Sequence, residues 1–439
     1  VARARFDASS GGAHFRVACC SVLVTPLSMM SRSLVFAVVG ALSQLTPAAR
    51  LQAQGPSQAA VGKVRPGVEV LLTDSVRLIR GKRVGLLTNH SGRDRNGTST
   101  IDLLYKAPGV TLTALFGPEH GLRGIAKAGE KVASAVDSAT GVPIYSLYGE
   151  VSVPTPEMLR NVDVLVYDIQ DVGARVYTFE WTLADMAAAA GKPVIVLDRP
   201  NPIRADRVEG NILEPKFSSL VGRHPVALRY GLTVGELMRY LVGAGHLAAN
   251  VTVVPMQGYR RAMWFDETGI PRLNPSPNLR TPESELLYPG TVFFEGTSVT
   301  EGRGTEDPFT LVGASWMSDA GAIAAELNAM KLPGVHFDST ARTIEAGYKF
   351  AGQTIPMLKV RVTDRNAVKP VEMGVRMLRA IYARHPKDFT WKVSSIDRLA
   401  GTDQLRAAVE QGTVDALLAR WNSESASFRT KRAPYLLYR

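Results

Sequence analysis

The 439-residue chain has only two cysteines, Cys19 and Cys20, adjacent and close to its start. Beyond residue 54 there is no thiol, so a disulfide, a thiolate-bound metal and a cysteine nucleophile are excluded from the rest of the chain. Other absences narrow the chemistry. There is no Gly-x-x-x-x-Gly-Lys phosphate loop and no Gly-x-Gly-x-x-Gly dinucleotide fingerprint. There is no Gly-x-Ser-x-Gly nucleophile elbow. His90, His120, Asp168 and Asp171 lack the spacing of a metal-binding helix motif, so no metal or other cofactor is expected. No dense Lys/Arg run is interleaved with aromatics, which leaves nucleic-acid binding without an electrostatic footprint. Leu34–Leu42, the apolar run near the start, is too short to span a bilayer.

That run has a different meaning. Ser31-Arg32-Ser33 precedes it, and small and polar residues follow to Gln54. A basic lead, an apolar stretch and a cleavage zone near Ala53 predict a secretory signal. The mature chain is then expected to be periplasmic or extracellular, without stable membrane insertion. Met29 or Met30 is the expected start, which makes Val1–Ser28 an artefact of gene calling. A lipobox at Val17-Ala18-Cys19 is the rival, and it lacks a preceding apolar region. The formal charge is +11, of which residues 1–54 supply +4 and the remainder +7. A basic exported chain favours anionic partners such as a carboxylate-rich wall polymer; background composition explains the excess equally well.

What is present is an alternation. After a small, polar lead at Gly55–Lys63, strands are predicted at Glu69–Leu72, Arg83–Leu87, Leu112–Phe116, Val162–Tyr167, Pro193–Leu197 and Val251–Val254. Helices are predicted at Thr100–Lys106, Thr155–Arg160, Thr178–Ala190 and Thr233–Ala244. The last of these opens with a capping box, Thr233 and Glu236. Such a βα rhythm predicts an α/β fold, a Rossmann-like and mostly parallel sheet over residues 64–273. Prolines at 275, 277 and 289 argue for an extended or turned crossing segment. A smaller α+β domain is expected over 274–439, with strands at Thr291–Phe294 and Met357–Val362. Its helices are expected at Ala320–Met330, Pro370–Ala383, Asp403–Glu410 and Val414–Trp421, with a last strand at Tyr435–Tyr438.

Four apolar runs end in polar clusters that a fold alone does not require. They lead into Thr88-Asn89-His90, Pro118-Glu119-His120, Asp168 to Arg175, and Asp198-Arg199-Pro200-Asn201. In open α/β sheets ligands bind beyond the carboxyl ends of the strands, so these clusters mark a polar ligand site. Glu119, held between Pro118 and His120, suits a general acid, a general base or a sugar-hydroxyl acceptor; capping a turn is its bland role. Asp168 and Asp171, with Arg175 and Tyr177 just beyond, either bind ligand or pair to fix a loop. Asp198, Arg199 and Asn201 repeat that choice at the next strand end. The densest stretch, Phe294 to Thr305, holds Glu295, Glu301 and Arg303 among glycines. Glycoside hydrolysis uses two carboxyl groups across the scissile bond. Glu295 and Glu301, or one of them with Glu119, would supply them, and the fork of Arg303 matches a substrate carboxylate.

These segments, with Ser146-Leu147-Tyr148-Gly149, Pro275-Ser276-Pro277-Asn278, Tyr288-Pro289-Gly290 and Gly302-Arg303-Gly304-Thr305, resemble the exo-β-N-acetylmuramidase family. That family was first catalogued as a domain of unknown function. The resemblance runs from about Gly67 to Tyr438. It implies a Rossmann-like domain, a smaller second domain and an active cleft between them. It implies release of N-acetylmuramic acid from non-reducing ends of peptidoglycan fragments, so muramyl saccharides are the expected partners. Carried over, Glu119 and Glu295 are the preferred catalytic pair and Glu301 is third. Arg303 or Arg175 would meet the lactyl carboxylate. Asn89, His120, Asp168, Asp171, Tyr177, Asp198, Arg199, Asn201 and Asn278 complete the expected substrate-binding set. Leu220 stands where the family has an aromatic and Tyr230 where His is usual, two departures expected to alter the rim of the cleft. The rivals are a metal-assisted ester or amide hydrolase and a non-catalytic wall-binding module.

Overall fold

The sheet is built from the runs that sequence periodicity singles out. The structure, a computed structural model, describes residues 64–124 and 134–439. The signal segment, both cysteines and the Gly55–Lys63 lead lie outside the described residues. The strands in chain order are β1 (Arg83–Thr88), β2 (Thr111–Gly117), β3 (Ala135–Val136), β4 (Pro143–Ser146), β5 (Val164–Asp168) and β6 (Val194–Leu197). They continue with β7 (Glu209–Ile212), β8 (Ala227–Arg229), β9 (Val251–Val254), β10 (Leu311–Gly313), β11 (Val335–Thr343) and β12 (Thr354–Val362). Seven of them form one sheet in the order β3-β4-β2-β1-β5-β6-β9, parallel except for the short β3–β4 pair. Strand β5 is buried at every position, which is why its run is uniformly apolar until Asp168.

The helices are α1 (Gly67–Asp74), α2 (Thr100–Tyr105), α3 (Phe179–Ala189), α4 (Val234–Gly243), α5 (Pro282–Thr291) and α6 (Ala320–Ala329). Then follow α7 (Pro370–Arg384), α8 (Val393–Ala400), α9 (Gln404–Gln411) and α10 (Val414–Arg432). The Thr233–Glu236 capping box opens α4 as expected. Several expectations fail for physical reasons. Glu69–Leu72 is helical, not a strand: it lies in α1, which follows Pro66 and buries Val68 and Leu71. Gly67 donates to the Asp198 carbonyl at the end of β6. Residues 155–160 make turns rather than a helix. The proline-rich crossing segment ends in α5, because Pro282 fits the first helical turn and Thr281 and Ser284 form a capping box. Gly290 of α5 lies so close to Pro370 and Gly374 of α7 that a side chain there would not fit. The expected strand at Thr291–Phe294 falls mostly in a 3-10 turn, Val292–Gly296, that carries Glu295. Tyr435–Tyr438 forms no strand; the Tyr438 hydroxyl instead reaches Asp198.

The second half adds an antiparallel sheet, β10-β12-β11, covered by α6, on which α7 packs in turn. One apolar core joins the halves: it includes Phe116, Trp181 and Leu237 of the first and Phe293, Leu378 and Trp421 of the second.

Candidate active site

The crevice between β1 and β5, where successive crossovers leave in opposite directions, is the usual ligand position in such sheets. Here it is filled by the protein's own groups. Asp168 and Arg199 form a two-pronged pair, Nε to Oδ1 at 2.5 Å and Nη2 to Oδ2 at 2.9 Å. The Thr100 hydroxyl donates to the same carboxylate, and the Thr88 hydroxyl to the Asp168 carbonyl at 2.7 Å. Asp198 is equally enclosed. It accepts from the Thr233 hydroxyl at 2.7 Å, the Gly235 amide at 2.9 Å and the Tyr438 hydroxyl at 2.6 Å, fastening the start of α4. Burial, opposed by these donors, holds its carboxyl up to about 6.

The open site lies beside this plug, at the end of β2. A cavity of about 150 Å³ collects Glu119, His120, Tyr177, Glu295 and Arg303 from the expected set. Its walls come from both halves of the chain, with Tyr148 and Thr178 from the first and Ser276, Tyr288 and Phe309 from the second. His120 adopts φ 67, a left-handed conformation that histidine tolerates better than most residues, and Gly121 follows at φ 70. The chain thus doubles back immediately after Glu119. Thr178 sits at the N-cap of α3 but makes no side-chain cap bond. Its hydroxyl donates instead to Glu119 Oε2 at 2.8 Å, fixing that carboxylate. Behind it, Tyr177 and Tyr288 meet edge to face, and so do Tyr288 and Phe309. The Tyr177 hydroxyl donates to the Pro275 carbonyl at 2.8 Å, so its ring, rather than its oxygen, serves the cavity.

Opposite Glu119, Gly302 and Gly304 at φ 83 and 84 let the chain turn tightly around Arg303. Arg303 Nη1 lies 2.8 Å from Glu295 and 3.0 Å from Glu301, and its guanidinium stands over the Phe309 ring. The two carboxylates diverge. Glu301, 4% exposed, also has Lys349 at 3.5 Å; Arg303 and Lys349 outweigh the effect of burial and hold its carboxyl below the usual range. Glu295, 26% exposed toward the cavity, is pushed up, first by burial and then by the Glu301 charge, against the pull of Arg303. Paired acids pushed apart in this way give one group that keeps its charge and one that can hold a proton.

The structure does not bring the other expected residues to the cavity. Asp168, Arg199 and Asp198 are consumed as described. Asp171 is buried and accepts from the Gly173 amide at 2.8 Å and from the Tyr230 hydroxyl. Tyr230 is therefore a core residue and not part of the rim, unlike Leu220, which does line the cavity. Arg175 is fully buried, forms no ion pair among the described residues, and donates to the carbonyls of Asn211, Val226 and Ala400 at 2.9, 3.0 and 2.7 Å. Burial pulls it down to about 9. Asn201 spans Leu232 and Ile203, and Asn89 folds back onto Ser91. Asn278 is buried beside cavity-lining Leu279. Glu301 acts through Arg303 without lining the cavity itself. Among the described residues no three His, Cys, Asp or Glu side chains gather as metal donors.

Comparison with known proteins gives the family and the fold. Family models described as exo-β-N-acetylmuramidase NamZ, N-terminal and C-terminal, match residues 84–283 and 286–438. The chain is 43% identical over 381 residues to the peptidoglycan β-N-acetylmuramidase NamZ of Bacillus subtilis (strain 168), covering 86% of this chain and 92% of that one. Two crystal structures of DUF1343 family proteins from Bacteroides fragilis NCTC 9343 superpose with TM-scores of 0.79 and 0.67, at 35% and 29% identity. Each covers 86% of this chain and 99% of the relative. With its two halves matched in order and its fold shared over nearly the whole of each relative, the chain belongs to the exo-β-N-acetylmuramidase NamZ family.

Proposed function

We infer that this protein is a glycosidase of peptidoglycan turnover, an exo-β-N-acetylmuramidase that releases N-acetylmuramic acid from non-reducing ends. Relatedness to the Bacillus subtilis enzyme supports the activity. The observation that carries the chemistry is Glu119 and Glu295 lining one cavity from opposite halves of the fold. Glu295, raised by burial and by Glu301, is the proton donor to the leaving oxygen. Glu119, anchored by Thr178, is the carboxylate that faces the sugar. The aromatic wall of Tyr177, Tyr288 and Phe309 keeps water from the reacting bond. Export supplies the compartment: the basic and apolar pattern of residues 31–54 supports delivery to the cell wall. Among the described residues no helix is long and apolar enough to cross a membrane.

Turnover of a chromogenic β-N-acetylmuraminide tests the assignment. Glu119→Gln and Glu295→Gln should each lower kcat by roughly 10²–10⁴, the usual worth of a positioned acid or base. Their unfolding midpoints should stay near the parent's, since both side chains face the cavity. Near-parental rates in both variants would remove the proposed catalytic pair.

A further inference from the structure

Two further hollows, here its arms, adjoin the catalytic cavity, and Leu220 of the Ser219–Gly222 turn lines all three. One arm, about 380 Å³, is lined by Leu147, Tyr148, Ser152 and Thr182, and its cation is cancelled: Arg223 lies 2.7 Å from Asp185. The other arm, about 610 Å³, is lined by Ser219, Ser394, Ser395, Lys392 and Arg398, and its one acid is Glu295. Glu295 already faces Arg303. Lys392 and Arg398 are exposed and have no carboxylate partner among the described residues. The second arm therefore carries uncompensated positive charge, while the first is neutral.

In the catalytic centre Arg303 and Lys349 already face Glu295 and Glu301, and Glu119 lines the same cavity as a further carboxylate. A substrate carboxylate placed there would meet Glu119 and Glu295 at close range. Arg175 cannot receive it either, because its guanidinium is fully buried on three backbone carbonyls. Among the described residues, the arm with Lys392 and Arg398 adjoins the cavity and offers a carboxylate two exposed cations.

We propose that Lys392 and Arg398 form an anion subsite for the free lactyl carboxylate of the bound muramyl sugar, and that the neutral Tyr148 arm takes the uncharged part of the substrate. This rests on the muramidase function proposed above and fixes how the sugar lies in the cleft. The subsite is rigidly coupled to the chemistry. The Lys392 amide donates to the Gly296 carbonyl at 2.8 Å, and Gly296 packs so tightly on Ile396 of α8 that no side chain would fit. The turn that holds Glu295 and the helix that holds Arg398 thus move as one piece. Lys392 also adds to the positive field around Lys349, whose ammonium is depressed chiefly by burial.

The test compares the chromogenic muraminide as free acid, as its lactyl methylamide and as its L-alanyl-D-isoglutamine conjugate. The parent should prefer the free acid to the methylamide. K392A/R398A should lose roughly tenfold in kcat/KM on the free acid, mostly through KM, which is about what two partly exposed charge contacts supply. It should be unchanged on the methylamide, and K392R/R398K should restore the preference. Equal ratios of free acid to methylamide in parent and K392A/R398A overturn the subsite while leaving the muramidase function standing. A loss confined to the peptide conjugate overturns the lactyl assignment in favour of peptide carboxylates. Failure of the parent to cleave any muraminide removes the function on which the subsite depends.

Discussion

Replacing Asp168 by Asn takes one charge from a pair almost wholly removed from water. The Arg199 and Asp168 side chains are 3% and 1% exposed. With Asn, the guanidinium stays buried with the Arg93 carbonyl, at 2.7 Å, as its remaining charge-stabilising partner. Breaking a buried ion pair from one side costs about 3–5 kcal/mol, because the other charge is left uncompensated. Against a total stability of about 5–15 kcal/mol this is a large loss. With a urea m-value near ~3 kcal/mol/M, the unfolding midpoint should fall by about 1–1.7 M, followed by tryptophan fluorescence. Asp168→Asn combined with Arg199→Met should recover most of the loss, since a neutral pair strands no charge. Hydrolysis per folded molecule should stay close to the parent's in both. An Asp168→Asn protein with an unshifted midpoint and a collapsed kcat would refute the reasoning and return Asp168 to the substrate.

The charges around Glu295 predict its titration. Its folded pKa is raised, so the proton donor is loaded at low pH and activity falls as pH rises through that pKa. Glu301→Gln removes the like charge and should move this alkaline limb to lower pH, on the order of one unit, in a kcat profile. Arg303→Met should move it the other way, and a limb that ignores both changes would show that another group titrates. Glu180 gives a stability prediction. It is fully buried, and burial followed by the Asp171 charge pushes its carboxyl well above the usual range. The folded protein therefore binds this proton more tightly than the unfolded chain, and stability falls as pH rises above ~4.3, the usual glutamate value. Glu180→Gln should gain on the parent by about 1.4 kcal/mol per pH unit from there up to the folded pKa. Parallel unfolding curves from pH 5 to pH 8 would contradict it.

The sheet was legible because strands buried on both faces leave unmixed apolar runs, as β5 and β6 do. Strand ends also announced their polar clusters correctly as clusters. What local sequence does not encode is whether such a cluster faces a ligand or another cluster. Asp168 and Arg199 are 31 positions apart and close on each other, whereas Glu119 and Glu295 are separated by 176 positions and leave room between them. Only the crossing of the second half over the end of β2 decides which. The turn carrying Glu295 was misread for a related reason: Leu286 to Phe294 is apolar on every side because it packs under both halves, and continuous burial erases the helical period. Lys392 and Arg398 carry no motif of their own, and their meaning comes from the Gly296–Ile396 contact.

Arg175 ties together backbone from before β8, from β7 and from the last turn of α8. Rocking these segments apart would strand a buried guanidinium, so one interior side chain rivets β7, the lead into β8 and the end of α8 into a single unit. Leu399, beside the Ala400 carbonyl that Arg175 holds, lines the cavity, so that wall is set from the interior rather than from the surface.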